Sequence, residues 1–384
     1  MRAWLSILNN LQKGISLKIN NTFRLASLLK LVPVILIISS CTSIGPVNIG
    51  KDRMKYNEVL QQTNAQELLI NLVRLRYFDT PSFVNIAGIT AQSSLVTGAS
   101  LSHTRSTSRA ASKTLGLSNV FSPSISYSDA PVISYSPLQG DGFVRELLTP
   151  IPLSVMLLMS KSGWDIQKIF NFLIEKINSI PNAPRASGPT PETPPEYKEF
   201  QELLKNLKRM GNDVNLDYFG EKGKSQPGIR FAPGALQTPH GKKVAKQLKL
   251  VPGGNTFFLI DNVVLDRNDV IELQTRSLMG IMYFLSQSVT VPDIDLKAGL
   301  AITTTNTNGE AFNWSKITNN TFRVLVSLDR PENASVAVQY RGHWFYIANN
   351  DLHAKASFIM LSQLLALQSG NQELRAPALT LPLN

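Results

Sequence analysis

The chain is poor in cysteine and histidine, the side chains on which most thiol and zinc chemistry depends. Cys41 is the single cysteine among 384 residues, so the chain forms no internal disulfide and offers no multi-cysteine zinc site. The histidines are His103, His240, His343 and His353, and no two of them stand at the i, i+4 spacing of a helical metal pair. We therefore expect neither a bound metal nor a cofactor.

Short catalytic motifs are equally scarce. The sequence contains no G-x-S-x-G nucleophile motif. The segment Gly223–Ser225 ends like a phosphate-binding loop, but Tyr218 stands where that motif requires glycine. Acids cluster at Asp141, Glu146 and Asp165, where helical carboxylates are usually solvated or paired with basic neighbours. We expect a protein that is not an enzyme, and an envelope enzyme acting on glycan or lipid stays open as a second alternative.

Acidic residues are absent from the first 40 positions, and this explains much of the net charge of +11. That segment carries five basic residues, and the rest of the chain has 33 basic and 27 acidic side chains. A mild, unlocalised excess of positive charge is not the patch or module that marks a nucleic-acid-binding protein. We expect no nucleic-acid partner.

No apolar run near the N-terminus approaches the roughly 20 residues of a membrane-spanning helix. The run Leu31–Ile38 has eight residues, follows a basic segment and precedes two serines. This pattern is typical of a secretory signal peptide, which we assign to residues 1–40.

The four residues Ile38-Ser39-Ser40-Cys41 resemble the lipobox of bacterial lipoproteins. The resemblance implies cleavage before Cys41 and attachment of lipid to its sulfur and its new amino group. Thr42 follows, and the lipoprotein sorting pattern then implies export to the outer membrane, with the periplasmic face favoured over the cell surface. We therefore expect Cys41 to join the chain to membrane lipid through a tether over residues 41–51.

Residues 91–128 lack acids altogether and hold twelve serines. In the second half of this segment apolar residues alternate with glycine and serine, which is the period-two pattern of a strand. An earlier part, 93–103, alternates more weakly, and a polar basic tip with Arg105, Arg109 and Lys113 separates the two. The sequence thus predicts a long hairpin over 93–127.

Three interpretations of this hairpin remain open. It packs on the protein's own core, it is a disordered Ser/Thr-rich loop, or it is a membrane hairpin with one apolar face. A lone hairpin cannot span a bilayer because its edges would be unpaired in lipid, so the third case needs a homo-oligomer with a shared barrel. Pro123 within the second strand favours an edge or a bulge.

The remaining chain predicts an α+β fold in which helices pack on an antiparallel sheet. Helical periodicity predicts helices over 57–77, 142–148, 153–160, 164–180, 196–210, 268–289 and 350–369. We expect an exposed Pro-rich loop over 181–197 and an irregular stretch over 220–249. Two strands should meet at a tight turn at Gly342, and Trp344 and Tyr346 on the second strand are candidate interaction residues, as are Arg105, Arg109 and Lys113 of the basic tip.

Five stretches resemble a family of proteobacterial lipoproteins. They are ELLINLVRLRYFDTPSFVNI (67–86), ISYSPLQGDGFVRELLTPIP (133–152), TRSLMGIMYFLSQSVTVP (275–292), YRGHWFYIANNDLHAKASF (340–358) and ALTLPL (378–383). The resemblance covers nearly all of the chain after Cys41 and implies one integrated domain over 52–384. It carries over no activity and no site residues, and the family's hairpin is Gly-rich where this chain has Ser, Thr and basic residues.

Together these features predict a membrane-anchored lipoprotein that acts as a non-catalytic interaction or scaffold component among the proteins of the cell envelope. The first alternative is an oligomeric outer-membrane pore or secretion-system subunit that donates its hairpin to a shared barrel.

Overall fold

The computed structural model describes residues 44–90, 93–106, 116–129, 132–138, 140–189, 191–221, 223–261, 269–318 and 322–369. Several predicted features lie outside these residues, among them Cys41, Arg109, Lys113 and the strand ALTLPL. The chain divides into two compact units, residues 1–64 and 65–384. Helix α1 (Ile44–Arg76) contains the boundary between them, and its start shows that the predicted tether is already helical from Ile44.

The second unit confirms the predicted α+β class. Its strands are β1 (Val84–Thr90), β2 (Ser93–Ser106), β3 (Gly116–Asp129), β4 (Val132–Pro137), β5 (Ile174–Ile177), β6 (Ile180–Pro181), β7 (Val214–Phe219), β8 (Gln226–Phe231), β9 (Thr256–Asp261), β10 (Val270–Thr275), β11 (Leu325–Ser327), β12 (Ala334–Tyr340) and β13 (His343–Ala348). Its helices are α2 (Asp141–Leu148), α3 (Leu153–Lys161), α4 (Ile166–Leu173), α5 (Lys198–Met210), α6 (Pro239–Gln247), α7 (Leu278–Ser286), α8 (Asp293–Lys297), α9 (Ser315–Thr318) and α10 (Leu352–Ser369).

The main sheet has six strands in the order β6-β5-β10-β9-β8-β7. All neighbouring pairs are antiparallel except β9 and β10, which run parallel. The chain reaches β10 from β9 through residues 262–269 and then enters α7, whose N-terminus is capped by Ser277 Oγ accepting from Gly280 N. This sheet places β10 at its centre, between β5 and β9.

One hydrophobic core joins the sheet to the helices of the second unit. Helix α4 contributes a broad apolar face that is fully buried, and α7 is buried on nearly every side. A helix that is apolar all round needs neighbours on all sides, which is why α7 lies inside rather than on the surface.

A second, smaller sheet has three antiparallel strands in the order β11-β13-β12. Strands β12 and β13 are joined by the two residues Arg341 and Gly342, whose φ angles are 47° and 80°. Positive φ at both central residues is the signature of a type I′ turn, which matches the twist of paired strands. The tight turn predicted at Gly342 is confirmed.

The substitution Gly342→Ala should lower the free energy of unfolding by about 1 kcal/mol, because only the left-handed backbone opposes the new side chain. A Cβ at this position would meet nothing within 4 Å. The matched control is Gly142→Ala, which has the same open space but lies in α2 with an ordinary backbone. Urea denaturation should show a loss for the first variant alone, and equal losses would contradict the turn assignment.

Four sequence predictions of local structure are wrong in part. The segment 268–289 is a strand and a helix rather than one helix, and 164–180 ends as a helix at Leu173 and continues as β5. The stretch predicted to be irregular, 220–249, holds β8 and α6. The Pro-rich loop 181–197 is not simply exposed, since Asn182, Ala183 and Ala186 are buried.

Candidate interaction surfaces and a buried arginine

The hairpin is confirmed as a two-stranded ribbon. Strands β2 and β3 pair over 14 consecutive residues, from Ser93 opposite Asp129 to Ser106 opposite Gly116, with no register shift. At about 3.4 Å per residue the ladder is roughly 45 Å long. No other strand among the described residues pairs with either of them. Each strand therefore presents one edge of its backbone that makes no sheet hydrogen bonds.

The backbone register matches the alternation of the sequence across the two strands. Residues that stand directly opposite in an antiparallel ladder share a face of the sheet. The pairs at the apolar positions are Leu95–Tyr127, Thr97–Ile125, Ala99–Pro123 and Leu101–Phe121, and those at the intervening positions are Ser94–Ser128, Val96–Ser126, Gly98–Ser124 and Ser100–Ser122. One set of rows is thus mainly apolar and the other mainly serine.

Large apolar side chains of the ribbon are exposed. Ile125 is 78% exposed at an apolar row, and Val96 and Val120 are 64% and 49% exposed at serine rows. Neither face of the ribbon is therefore covered at these positions, which argues against the interpretation that the hairpin packs on the protein's own core.

Of the predicted basic tip, the structure describes only the backbone of Arg105, which lies in β2 opposite Leu117. The other two residues of the tip lie outside the described residues.

The aromatic run on β13 divides between the two faces of the smaller sheet. Phe345 is fully buried in the core, whereas Trp344 and Tyr346 are half-buried on the opposite face. The guanidinium of Arg330 lies 5.5 Å from the centre of the Trp344 ring, a cation–π distance. Trp344 and Tyr346 thus share one accessible face, and their role as interaction residues stays a prediction.

A tyrosine–aspartate cluster joins residues of the stretches 67–86 and 340–358 to helix α8. The Tyr77 hydroxyl, just beyond the end of α1, donates to Asp295 Oδ2 of α8 at 2.6 Å. The Tyr340 hydroxyl, at the end of β12, donates to Asp79, which also accepts from Arg341 Nη2 at 3.2 Å. The Tyr77 and Tyr340 rings are in edge contact, with centres 5.5 Å apart.

These contacts shift the acidity of the groups concerned. Burial raises the pKa of Tyr77 above its usual range, and the hydrogen bond to Asp295 raises it further. The hydrogen bond from Tyr340 lowers the pKa of Asp79 below its usual range. These shifts favour Tyr77 as a neutral donor and Asp79 as an anionic acceptor. The hydrogen bonds of the cluster connect the residues that follow α1 to α8 and to the β12–β13 hairpin.

The largest fully buried side chain is Arg276, directly after β10. Its guanidinium donates to the carbonyls of Asn171, Phe172 and Ile174 at 3.1, 3.2 and 2.8 Å, and also to the carbonyl of Asn182. Its Nε donates to Ser187 Oγ at 2.9 Å. The five hydrogen bonds thus involve all three nitrogens of the side chain, and the two hydrogens of Nη1 are shared among three carbonyls.

Aromatic and acidic neighbours complete the surroundings of Arg276. The guanidinium lies 4.2 Å from the centre of the Phe284 ring in α7. Burial lowers the pKa of Arg276 to about 9, and the charge of Glu175 acts in the opposite direction. Burial raises the pKa of Glu175, and Arg276 and the Ser187 hydroxyl oppose that change. Glu175 is thus an acidic neighbour whose charge favours the charged form of Arg276.

Glu175 also lines a cavity of about 240 Å³, together with Leu148, Pro150, Ser187, Asp261, Gln274, Thr275 and Ser277. Thr275 is buried, and its hydroxyl has no hydrogen-bond partner among the described residues. Burial raises the pKa of Asp261. The cavity is polar enough for water or a small polar ligand. Glu175, one of its two acidic residues, also interacts electrostatically with Arg276.

Four of the acidic and histidine residues considered in the sequence have structural partners. Asp141 forms a surface ion pair with Arg145 at 2.9 Å, and Asp165 caps α4 by accepting from Gln167 N and Lys168 N. His240 is hydrogen-bonded to Asn206, and His343 to the carbonyl of Arg341. Across the described ranges, no three histidine, cysteine or acidic side chains form a group that could hold a metal ion. Within the same ranges, no helix has the length and apolar character needed to cross a membrane.

The comparisons with known proteins add no relative. The chain matches no protein-family model, no curated protein and no solved structure.

Proposed function

We propose that this chain is a lipid-anchored, non-catalytic interaction component of a bacterial cell envelope, and that the hairpin is its interaction element. The observation that carries the proposal is the ribbon of 14 residue pairs, which has exposed apolar side chains and two edges that pair with no other strand of the described residues. Folded proteins normally protect such edges, so a long unprotected ribbon is most simply explained by a partner that covers it.

The membrane anchor of the proposal rests on the sequence around Cys41. The short apolar run, the small residues before the cysteine and the absence of any second cysteine all agree with a lipoprotein. Each acyl CH₂ buried in a bilayer contributes about 0.8 kcal/mol, so several chains on one cysteine hold a protein firmly. We further propose the outer membrane as the location and its periplasmic face as the side on which the folded part lies.

The substitution Cys41→Ala should abolish incorporation of radiolabelled palmitate and move the chain from the membrane fraction to the soluble fraction, because the acyl chains would be lost. The experiment uses the full chain expressed in a Gram-negative bacterium, with Ser43→Ala as the matched control that keeps both the label and the membrane fraction. A Cys41→Ala chain that still carries the label would refute the lipid site. One that loses the label and stays in the membrane would show that another element, such as the hairpin, also holds it there.

In-cell cross-linking tests the interaction role itself. The full chain should give defined cross-linked species in the envelope, and deletion of residues 93–129 should remove them while the remaining chain stays folded and lipidated. Unchanged cross-links after the deletion would reject the hairpin as the interaction element and would favour the half-buried face with Trp344 and Tyr346.

A second candidate function is an oligomeric outer-membrane pore or secretion-system subunit. The specific observation in its favour is the register, which sets apolar positions of β2 opposite apolar positions of β3 over several rows. One apolar and one small polar face, alternating along strands of about ten residues or more, is the pattern of strands that face lipid on one side.

A further inference from the structure

We infer that the partner of the hairpin is another copy of this chain, and that β2 of one copy pairs edge to edge with β3 of the next. The inference rests on the proposed function and goes further by naming the partner. It follows from three properties of the ribbon. Most edge residues are uncharged, the ladder has no bulge, and the two strands have the same length and run antiparallel.

The edges carry few of the features by which proteins prevent strand pairing, namely Pro123 in β3 and Arg105 near the end of β2. Natural edge strands are usually short or carry lysine, proline or a bulge. Here residues 93–102 and 116–128 contain no Asp, Glu, Lys or Arg, and the ladder has no bulge over its 14 pairs. Pro123 is the only proline in either strand. Over these uncharged residues an identical neighbour meets no repulsion between charged side chains.

The two edges of one ribbon fit each other in length and direction. Strands β2 and β3 each have 14 residues and run antiparallel. When β3 of one copy lies beside β2 of the next in antiparallel orientation, the up-and-down order of strands continues without interruption. A different protein would need to supply two such edges, whereas each copy of this chain already has both.

Head-to-tail pairing is favoured over a two-fold dimer by the number of edges covered. A symmetric dimer through β2 would leave the β3 edge of both copies open. A head-to-tail arrangement uses a different surface on each side of every copy, and it closes into a ring when the rotation between copies allows. In the ring every edge of every ribbon is paired.

The first measurement is the mass in solution of the full lipidated chain, purified in mild detergent, by light scattering. We expect a mass of several copies, and the mass of one copy after residues 93–129 are replaced by a short Gly-Ser linker. The variant Leu328→Ser is the matched control, because Leu328 is 73% exposed outside the hairpin, and it should keep the large mass. A monomeric wild-type chain would overturn the inference. If such a monomer still gives hairpin-dependent cross-links in the envelope, the proposed function survives and only the self-pairing fails.

The second measurement identifies which edges meet, with single cysteines at exposed positions that should not disturb folding. Thr97 stands opposite Ile125 within one hairpin, so the two cysteines must be placed in separate, differently tagged copies to prevent an internal disulfide. Cysteines scanned from residue 96 to residue 100 in one copy should form disulfides with Ile125→Cys in the other at the matching register. Disulfides that form only between two copies of the same β2 variant would overturn head-to-tail pairing, as would the absence of disulfides from every combination.

Discussion

Arg276→Met is expected to be strongly destabilising, with a loss of about 3–5 kcal/mol in the free energy of unfolding. Methionine fills much of the volume but donates no hydrogen bond. The variant therefore deprives four carbonyls and the Ser187 hydroxyl of a donor, and it removes the positive charge that opposes the raised pKa of Glu175. Marginal stabilities of 5–15 kcal/mol make such a loss sufficient to unfold many domains.

Urea denaturation followed by circular dichroism measures this effect. Arg145→Met is the matched control, because Arg145 is a surface arginine whose side chain is 74% exposed. It should change the free energy of unfolding by less than about 0.5 kcal/mol, as surface substitutions usually do. Arg276→Lys should recover only part of the loss, since an ammonium cannot reproduce the five donors of the fork. Similar stability of Arg276→Met and Arg145→Met would contradict the role assigned to the buried guanidinium.

Tyr77→Phe should lower the free energy of unfolding by about 1–3 kcal/mol, because Asp295 would lose the hydroxyl that satisfies its buried carboxylate. Asp295 is 7% exposed, and the Tyr77 hydroxyl lies 2.6 Å from its Oδ2. The phenyl ring keeps the packing against Tyr340 and Phe345, so the loss isolates the hydroxyl.

A double-mutant cycle with Asp295→Ala separates this pair from its surroundings. The two substitutions together should cost less than the sum of their separate effects, because the second removes a group that the first has already left unpaired. Tyr218→Phe serves as control, since Tyr218 is 42% exposed, and we expect almost no change. Strict additivity of Tyr77→Phe and Asp295→Ala would show that the hydrogen bond does not couple α1 to α8.

Local pattern was sufficient wherever an element is defined by its own periodicity or turn chemistry. The alternation of 115–127 identified β3, and glycine at 342 identified the hairpin of β12 and β13, because neither feature depends on distant residues. Helices α2 and α3 were predicted to within one residue at each end for the same reason.

Prediction failed where pairing with distant strands overrides local preference. The residues 270–275 have apolar spacing that suits a helix as well as a strand, yet they form β10 because β5 and β9 flank them. Likewise 174–177 leaves the helical pattern of α4 to pair with β10. A short apolar run is ambiguous by periodicity alone, and only the tertiary partner decides it.

The candidate sites also differ in how much of each could be predicted from the sequence. The ribbon was visible in the sequence, but its exposed faces and unpaired edges were not, since exposure is a property of the whole fold. Arg276 and Asp295 looked like ordinary charged residues, because a buried charge is recognised only from the groups that surround it. An arginine within an otherwise apolar stretch such as TRSLMGIMYFLS is a signal that could have singled out the first of them.

The hydrogen bonds of Arg276 also have a consequence for folding. They join groups that lie 89 to 105 positions apart along the chain. The segment 171–187 therefore cannot complete its structure until residue 276 has been synthesised, and contacts of such long sequence separation form slowly. Until residue 276 is in place, residues 171–187 therefore lack these hydrogen bonds, so the arginine that stabilises the finished core also delays its formation.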